Sequence, residues 1–103
     1  MHIKEIAHNI HDNAKRHGWW PKGQDRNIPE MIALVHSEAS EALEGYRKNI
    51  KPGQKGWLGE ELADIVIRVF DMAEGLGIDI EYEIKSKHAK NINRPYRHGG
   101  KRC

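Results

Sequence analysis

Two acidic motifs, each inside an apolar pattern of helical period, place the strongest constraint on how this chain can fold. Glu38 and Glu41 lie in the first motif, HSEASEALEGYRK, and Glu61 and Asp64 lie in the second, EELADIVIRVF. Residues three apart are neighbours on a helix surface, so each motif presents two carboxylates on one face. The segment between them, NIKPGQKG at 49–56, is short and contains Pro and Gly, which predicts two antiparallel helices packed side by side.

Packed in this way, the two helices bring the four carboxylates toward one point. Carboxylates that converge repel each other unless a cation lies among them, and hard oxygen ligands suit Mg²⁺, with Mn²⁺ as a substitute. We therefore expect a divalent metal site that handles a phosphate-bearing substrate. The alternative is a set of surface ion pairs, because Arg68 follows Asp64 by four residues and Lys48 follows Glu44 by four.

Composition narrows the class of protein. The chain has 103 residues, which fits one domain spanning 1–103, and its net charge of +2 is not that of a strongly basic nucleic-acid binder. Its one cysteine, Cys103, allows no internal disulfide and favours a reducing compartment. No apolar run reaches membrane-spanning length, and the N-terminal segment lacks the apolar region of a signal peptide. We expect a cytoplasmic protein with no membrane partner.

Hydrophobic periodicity and helix-capping residues predict four helices, at about residues 2–16, 28–47, 57–76 and 79–91, and no strands. Pro29 falls in the first turn of the second helix, and Asp79 is the predicted N-cap of the fourth. The third helix is apolar around most of its circumference, which in so small a chain predicts burial against a second subunit. The basic segment INRPYRHGGKRC predicts an extended tail.

Aromatic and histidine residues near the first helix offer further candidates. Trp19 and Trp20 could stack on a nucleobase or could cap the core of a small bundle. The sequence favours solvated histidines on the first helix over a histidine metal site, because no cysteine or compact acidic partner lies nearby in sequence. The histidines concerned are His2, His8, His11 and His17.

Three segments, SEASEALE, EELADIVIRV and KHAKNINRPYRHGGK, in this order and helical context make the chain resemble the MazG-like all-α nucleoside triphosphate pyrophosphohydrolases. The resemblance covers most of the chain. It implies an all-α, four-helix bundle that is completed by association into a homodimer or homotetramer and carries an extended basic C-terminal tail. It also implies Mg²⁺-dependent hydrolysis of ribo- or deoxynucleoside triphosphates to monophosphate and pyrophosphate, an activity suited to housecleaning of the nucleotide pool, in which non-canonical or deoxy nucleotides are removed.

The resemblance also implies roles for individual residues. The metal ligands of the family carry over to Glu38, Glu41, Glu61 and Asp64. The family often opens its first motif with two adjacent acids, and Ser37 stands where the first of them would be. This departure bears on the number of metals and on the rate more than on the type of reaction.

Phosphoanhydride cleavage requires neutralised phosphate charge and a water aimed in line at the reacting phosphorus. Glu38 or Glu41 is the candidate that orients or deprotonates this water, and the sequence does not separate ligand from base. The resemblance favours phosphate contacts from four residues in the basic C-terminal part, which are Lys87, Asn91, Arg94 and Lys101. The alternative is that this part is a solvated tail without contact to the substrate. Candidate walls of a base pocket are Trp19, Trp20, Ile32 and His36.

Two other functions are compatible with the sequence. One is a non-enzymatic helical interaction module, in which the basic tail binds nucleic acid or a protein partner. The other is a metal-stabilised relative without activity, which the Ser37 departure leaves open. Substitution of the motif carboxylates would abolish activity of an enzyme and would leave an interaction module unaffected.

Overall fold

A computed structural model describes residues 2–23 and 25–95, and all regular structure in these residues is helical. The helices are α1 (Ile3–Arg16), α2 (Ile28–Arg47), α3 (Leu58–Gly75) and α4 (Ile80–Ile92). The predicted all-α class with four helices is confirmed, and the boundaries agree with the predicted ones to within one residue. The predicted extended tail falls largely on residues 96–103, which lie outside the described residues.

Side-chain caps fix the starts of two helices. The Asn27 side chain accepts a hydrogen bond from the Glu30 backbone N–H at 3.1 Å, and a proline lies in the first turn of α2. The Asp79 side chain accepts one from the Tyr82 N–H at 3.0 Å, which confirms the predicted N-cap of α4. These caps satisfy N–H groups that have no partner within the helix.

Helix α3 lies at the centre of the fold. It packs against α2 and α1, and α4 contacts α1 and α3. The pairing of α3 with α2 is antiparallel, because Gly45 near the end of α2 meets Gly56 just before α3 while Glu38 meets Arg68 further along. The short connector thus produces the predicted antiparallel neighbours.

The core of the described residues is small. The buried apolar residues are Ala7, Met31, Ala42 and Ala73, and no large side chain among the described residues is fully buried. Apolar side chains remain at the surface of α3, where Leu62 is 50% exposed and Val66 is 46% exposed. The wide apolar surface predicted for α3 is therefore only partly covered within one chain. No helix of the described ranges is both long and apolar enough to cross a membrane.

Candidate metal centre and adjoining cavity

Three carboxylates meet where α2 crosses the first turns of α3. Glu38 comes from α2, and Glu61 and Asp64 come from α3; one oxygen of each lies within 4.8 Å of the other two. Glu38 and Glu61 are both buried, with 8% and 9% of their surface exposed. The convergence follows from the spacing of three residues in each motif together with the antiparallel packing of the two helices.

Two oxygens of this group have no hydrogen-bond partner. Glu38 Oε2 and Glu61 Oε2 are buried, and neither is paired with any atom of residues 2–23 and 25–95. Buried polar atoms in folded proteins are nearly always paired, so these two carboxylate oxygens are free to accept a hydrogen bond or to bind a cation. Three carboxylates with two open buried oxygens are a donor set that suits a hard divalent cation. The residues present therefore fit the metal that the sequence predicts.

The electrostatics of Glu61 reflect the crowding of negative charge in this group. Burial raises the pKa of its carboxyl group, and the negative charges of Glu41, Asp64 and Glu38 raise it further. A raised pKa means that the ionised form is disfavoured at this position. A cation bound among these groups would reverse that effect, since positive charge favours the ionised carboxylate.

Glu41 occupies the edge of the centre. It is exposed and lies outside the group of three, but it is close enough for its charge to affect the pKa of Glu61. Three of the four predicted ligands are therefore brought together directly. The fourth is positioned beside them, on the solvent side.

Arg68 contacts the group from α3. Its Nε donates a hydrogen bond of 2.7 Å to Glu38 Oε1, across the interface between α3 and α2. The sequence spacing favoured Asp64 as its partner, and the ion pairs of the described residues include no such pair. The other anticipated pair does form, with Lys48 Nζ 3.9 Å from Glu44 Oε1.

A cavity of about 550 Å³ adjoins the carboxylates. Glu38 and Asp64 form part of its wall, and Asn9 and Asn13 of α1 and Trp19 of the following segment form other parts. Its volume is in the range typical of small-molecule sites. Asn9 and Asn13 are neighbours on one helix face, but no chemical motif in the sequence distinguishes them from other exposed amides.

Cationic and anionic side chains also line the cavity. Arg26 forms part of the cavity wall and donates a hydrogen bond to the Trp19 carbonyl oxygen. Its guanidinium carbon, Cζ, lies 5.1 Å from the ring centroid of Trp20. Asp64, Arg68 and Asp71 lie on successive turns along one side of α3 and all reach the cavity. The sequence indicated Arg68 only as an ion-pair partner of Asp64, and it did not indicate a role for Arg26.

Asp71 connects α3 to α1 and to the segment that follows α1. Trp20 Nε1 donates to both Asp71 oxygens, at 2.9 and 3.0 Å, and His11 Nδ1 donates to Oδ1 at 2.8 Å. The His11 side chain is only 12% exposed, so the expectation of a solvated histidine is wrong at this position. Its acidic partner lies 60 positions away along the chain and could not be seen as a neighbour in the sequence.

The two tryptophans have different surroundings. Trp19 is 53% exposed and lines the cavity, whereas the Trp20 ring lies against Gly75, where an added Cβ would overlap it. Of the two alternatives that the sequence left open, contact with a ligand fits Trp19 and capping of the core fits Trp20.

The other predicted substrate contacts lie away from this cavity. Ile32 and His36 are on the exposed side of α2, and neither lines it. Lys87 and Asn91 are exposed on α4, which contributes no described residue to the cavity wall. Arg94 follows α4 and is exposed, and Lys101 falls outside the described residues.

Comparison with known proteins does not show a family for this chain. No protein-family model matches it, and no solved structure matches it. A curated phosphoglycerate kinase from Euplotes crassus is 34% identical to it over 67 residues, which make up 65% of this chain. The chain spans about 15% of the length of that relative.

Proposed function

We propose that this protein is a divalent-metal-dependent hydrolase that converts nucleoside triphosphates to monophosphate and pyrophosphate. The observation that carries the proposal is the group formed by Glu38, Glu61 and Asp64, with two buried oxygens left unpaired in the described residues. The choice of reaction rests on the resemblance of the acidic motifs to the MazG-like enzymes. The match to phosphoglycerate kinase covers too little of that protein to transfer its activity.

Mg²⁺ is the proposed cofactor, with Mn²⁺ as a substitute, held by Glu38, Glu61 and Asp64. When bound, it supplies charge neutralisation on the phosphates and stabilises the leaving pyrophosphate. Glu41 lies beside the group and is exposed, so it can hold a water while the other three carboxylates bind the ion. We assign the orientation or deprotonation of the attacking water to Glu41 and assign Glu38, which already accepts from Arg68, to ligation.

The cavity next to the carboxylates is the proposed nucleotide site. Its volume of about 550 Å³ accommodates a nucleoside, and Trp19 offers an aromatic surface for stacking on the base. Arg26 brings positive charge to the wall of the same cavity. No described residue of α4 lines the cavity, so the phosphate contacts predicted on α4 cannot be made by this helix within one chain as it stands.

A second copy of the chain could provide those contacts. Leu62 and Val66 on α3 and Leu43 on α2 are large, apolar and about half exposed, which is unusual for a helix pair that forms the centre of a fold. We propose that a homodimer or homotetramer covers these side chains. The same association would bring α4 of one copy into reach of another copy's carboxylates.

The decisive experiment is a panel of ribo-, deoxy- and modified nucleoside triphosphates incubated with Mg²⁺, with the products separated by ion-exchange chromatography. We expect monophosphate and pyrophosphate. Asp64→Asn and Glu38→Gln should abolish turnover and retain the helical circular dichroism spectrum, whereas Glu60→Gln, beside Glu61 but outside the group of three, should retain activity.

Other products or no products would change the assignment. Diphosphate and phosphate would show that a different bond is cleaved. Absence of turnover, with Mg²⁺ still bound by the wild type and lost in Asp64→Asn, would identify an inactive metal-stabilised relative. Absence of both would favour the interaction module.

A further inference from the structure

Arg68 is the cationic side chain that directly touches the carboxylate group. Its Nε lies 2.7 Å from Glu38 Oε1, and the Glu38 side chain is only 11% exposed. A contact of this length between a guanidinium and a mostly buried carboxylate is a strong, charge-assisted hydrogen bond. The proposed hydrolysis assigns no task to this arginine.

Most of the hydrogen-bonding capacity of Arg68 is unused. A guanidinium has five N–H donors, and within residues 2–23 and 25–95 the hydrogen bond from Nε is its only one. The side chain lines the cavity together with Asp64 and is one-third exposed. Its Nη donors therefore lie beside the carboxylates, at the wall of the space proposed for the nucleotide.

The formal charges of the centre indicate what Arg68 contributes to it. The three carboxylates of the group and the guanidinium sum to a formal charge of −2, which a single divalent cation cancels, and Glu41 adds one exposed negative charge at the edge. Without the arginine, the site with one divalent cation would carry one more negative charge toward a polyanionic substrate, and a second cation would be needed to offset it. A guanidinium also suits phosphate oxygens, because its planar fork can donate two parallel hydrogen bonds.

We propose that Arg68 takes the place of a second cation. It limits the centre to one divalent ion, offsets one of the carboxylate charges when that ion is absent, and donates its Nη groups to the phosphates of the substrate. The last of these roles rests on the proposed function. The first two do not require nucleotide hydrolysis, because they depend on the contact between Arg68 and Glu38 and on binding of a divalent ion by the carboxylates.

The test uses Mn²⁺ titrations followed by electron paramagnetic resonance, and binding of an α,β-methylene nucleoside triphosphate in the presence of Mn²⁺. Wild-type protein should bind one Mn²⁺ per chain. Arg68→Gln should bind Mn²⁺ at least threefold more tightly without nucleotide, because a competing positive charge is gone. It should bind the nucleotide analogue at least tenfold more weakly. Arg68→Lys should resemble wild type toward Mn²⁺ and lie between the two toward the analogue.

The opposite directions of these two effects distinguish the proposal from a structural role. Arg47→Gln, at an exposed arginine of α2, is the matched control and should change neither affinity. If Arg68→Gln weakens both affinities together, Arg68 only orients Glu38 and the proposal is overturned. Two Mn²⁺ per wild-type chain would also overturn it. If wild type binds no analogue while the Mn²⁺ effect of Arg68→Gln persists, charge balance is supported, whereas the phosphate role and the proposed function both fail.

Discussion

Replacing Asp71 with Asn should lower the free energy of unfolding by about 2–4 kcal/mol, because hydrogen bonds to a charged group each contribute about 1.5–3 kcal/mol. Asp71 accepts hydrogen bonds from His11 and Trp20. Asn keeps one acceptor oxygen and places an N–H₂ group against one of the two donors. With the Asn oxygen at the Oδ1 position, the hydrogen bond from Trp20 to Oδ2 is lost, and the hydrogen bonds from His11 and Trp20 to Oδ1 are weaker because the acceptor no longer carries a charge.

Glu74→Gln is the matched control for this change. Glu74 is also an acid of α3 that faces a histidine of α1, but its contact with His8 is 3.4 Å long and the His8 side chain is 61% exposed. Exposed pairs of this kind contribute about 0–1 kcal/mol, so we expect Glu74→Gln to change stability by less than about 0.5 kcal/mol. The two variants differ in burial and geometry far more than in chemistry.

The assay is urea unfolding monitored by circular dichroism at fixed protomer concentration, because association would add to apparent stability. The slope of the free energy of unfolding against urea concentration should be the same in both variants as in the wild type. Trp20→Phe combined with Asp71→Asn should give less than the sum of the two separate losses, because both remove the same hydrogen bond. A loss below about 0.5 kcal/mol in Asp71→Asn, or an equal loss in Glu74→Gln, would refute the argument that this buried contact holds α1 on α3.

Three further predictions follow from other contacts. The pKa of Glu61 is raised on folding, so in metal-free protein its contribution to the free energy of unfolding should fall as pH rises from the ordinary glutamate pKa through the raised one. Glu61→Gln should remove this fall, as measured by urea midpoints in EDTA. Gly45→Ala should lower stability in thermal melts, because its Cβ would overlap the carbonyl oxygen of Gly56 and overpacking costs about 1–3 kcal/mol against about 1 kcal/mol gained in helix propensity. Val66→Glu should convert an oligomer to a monomer in light scattering, and an unchanged mass would place the subunit interface elsewhere.

Local features of the sequence were sufficient to predict the helices. The apolar period, Pro29 in the first turn of α2 and the Asp79 cap are properties of neighbouring residues, so the boundaries could be located closely. The convergence of Glu38 with Glu61 needed only one further assumption, that a short connector makes its flanking helices antiparallel. These are the parts of the fold for which short-range rules are enough.

Contacts that depend on the register between helices could not be predicted in this way. Arg68 has an acid four residues before it in sequence, yet it pairs with Glu38, because the crossing of α2 and α3 brings that carboxylate closer. The contact between His11 and Asp71 likewise depends on how far α1 is shifted along α3. The cavity, which these two crossings create together, was therefore absent from the sequence-based description apart from Trp19, Glu38 and Asp64.

The residues of α3 that form the site and its supports lie in a single stripe along one side of the helix. Asp64, Arg68, Asp71 and Gly75 follow at intervals of four, three and four residues, so one side of the helix carries a proposed ligand, a counter-ion, the acid that docks α1 and the surface beneath Trp20. Each residue of an α-helix advances the rotation by about 100°, so inserting or deleting one residue within 64–75 would turn part of this stripe away from the rest. Among descendants of this sequence, changes of length should be excluded from that interval even where substitutions on the other sides of the helix accumulate freely.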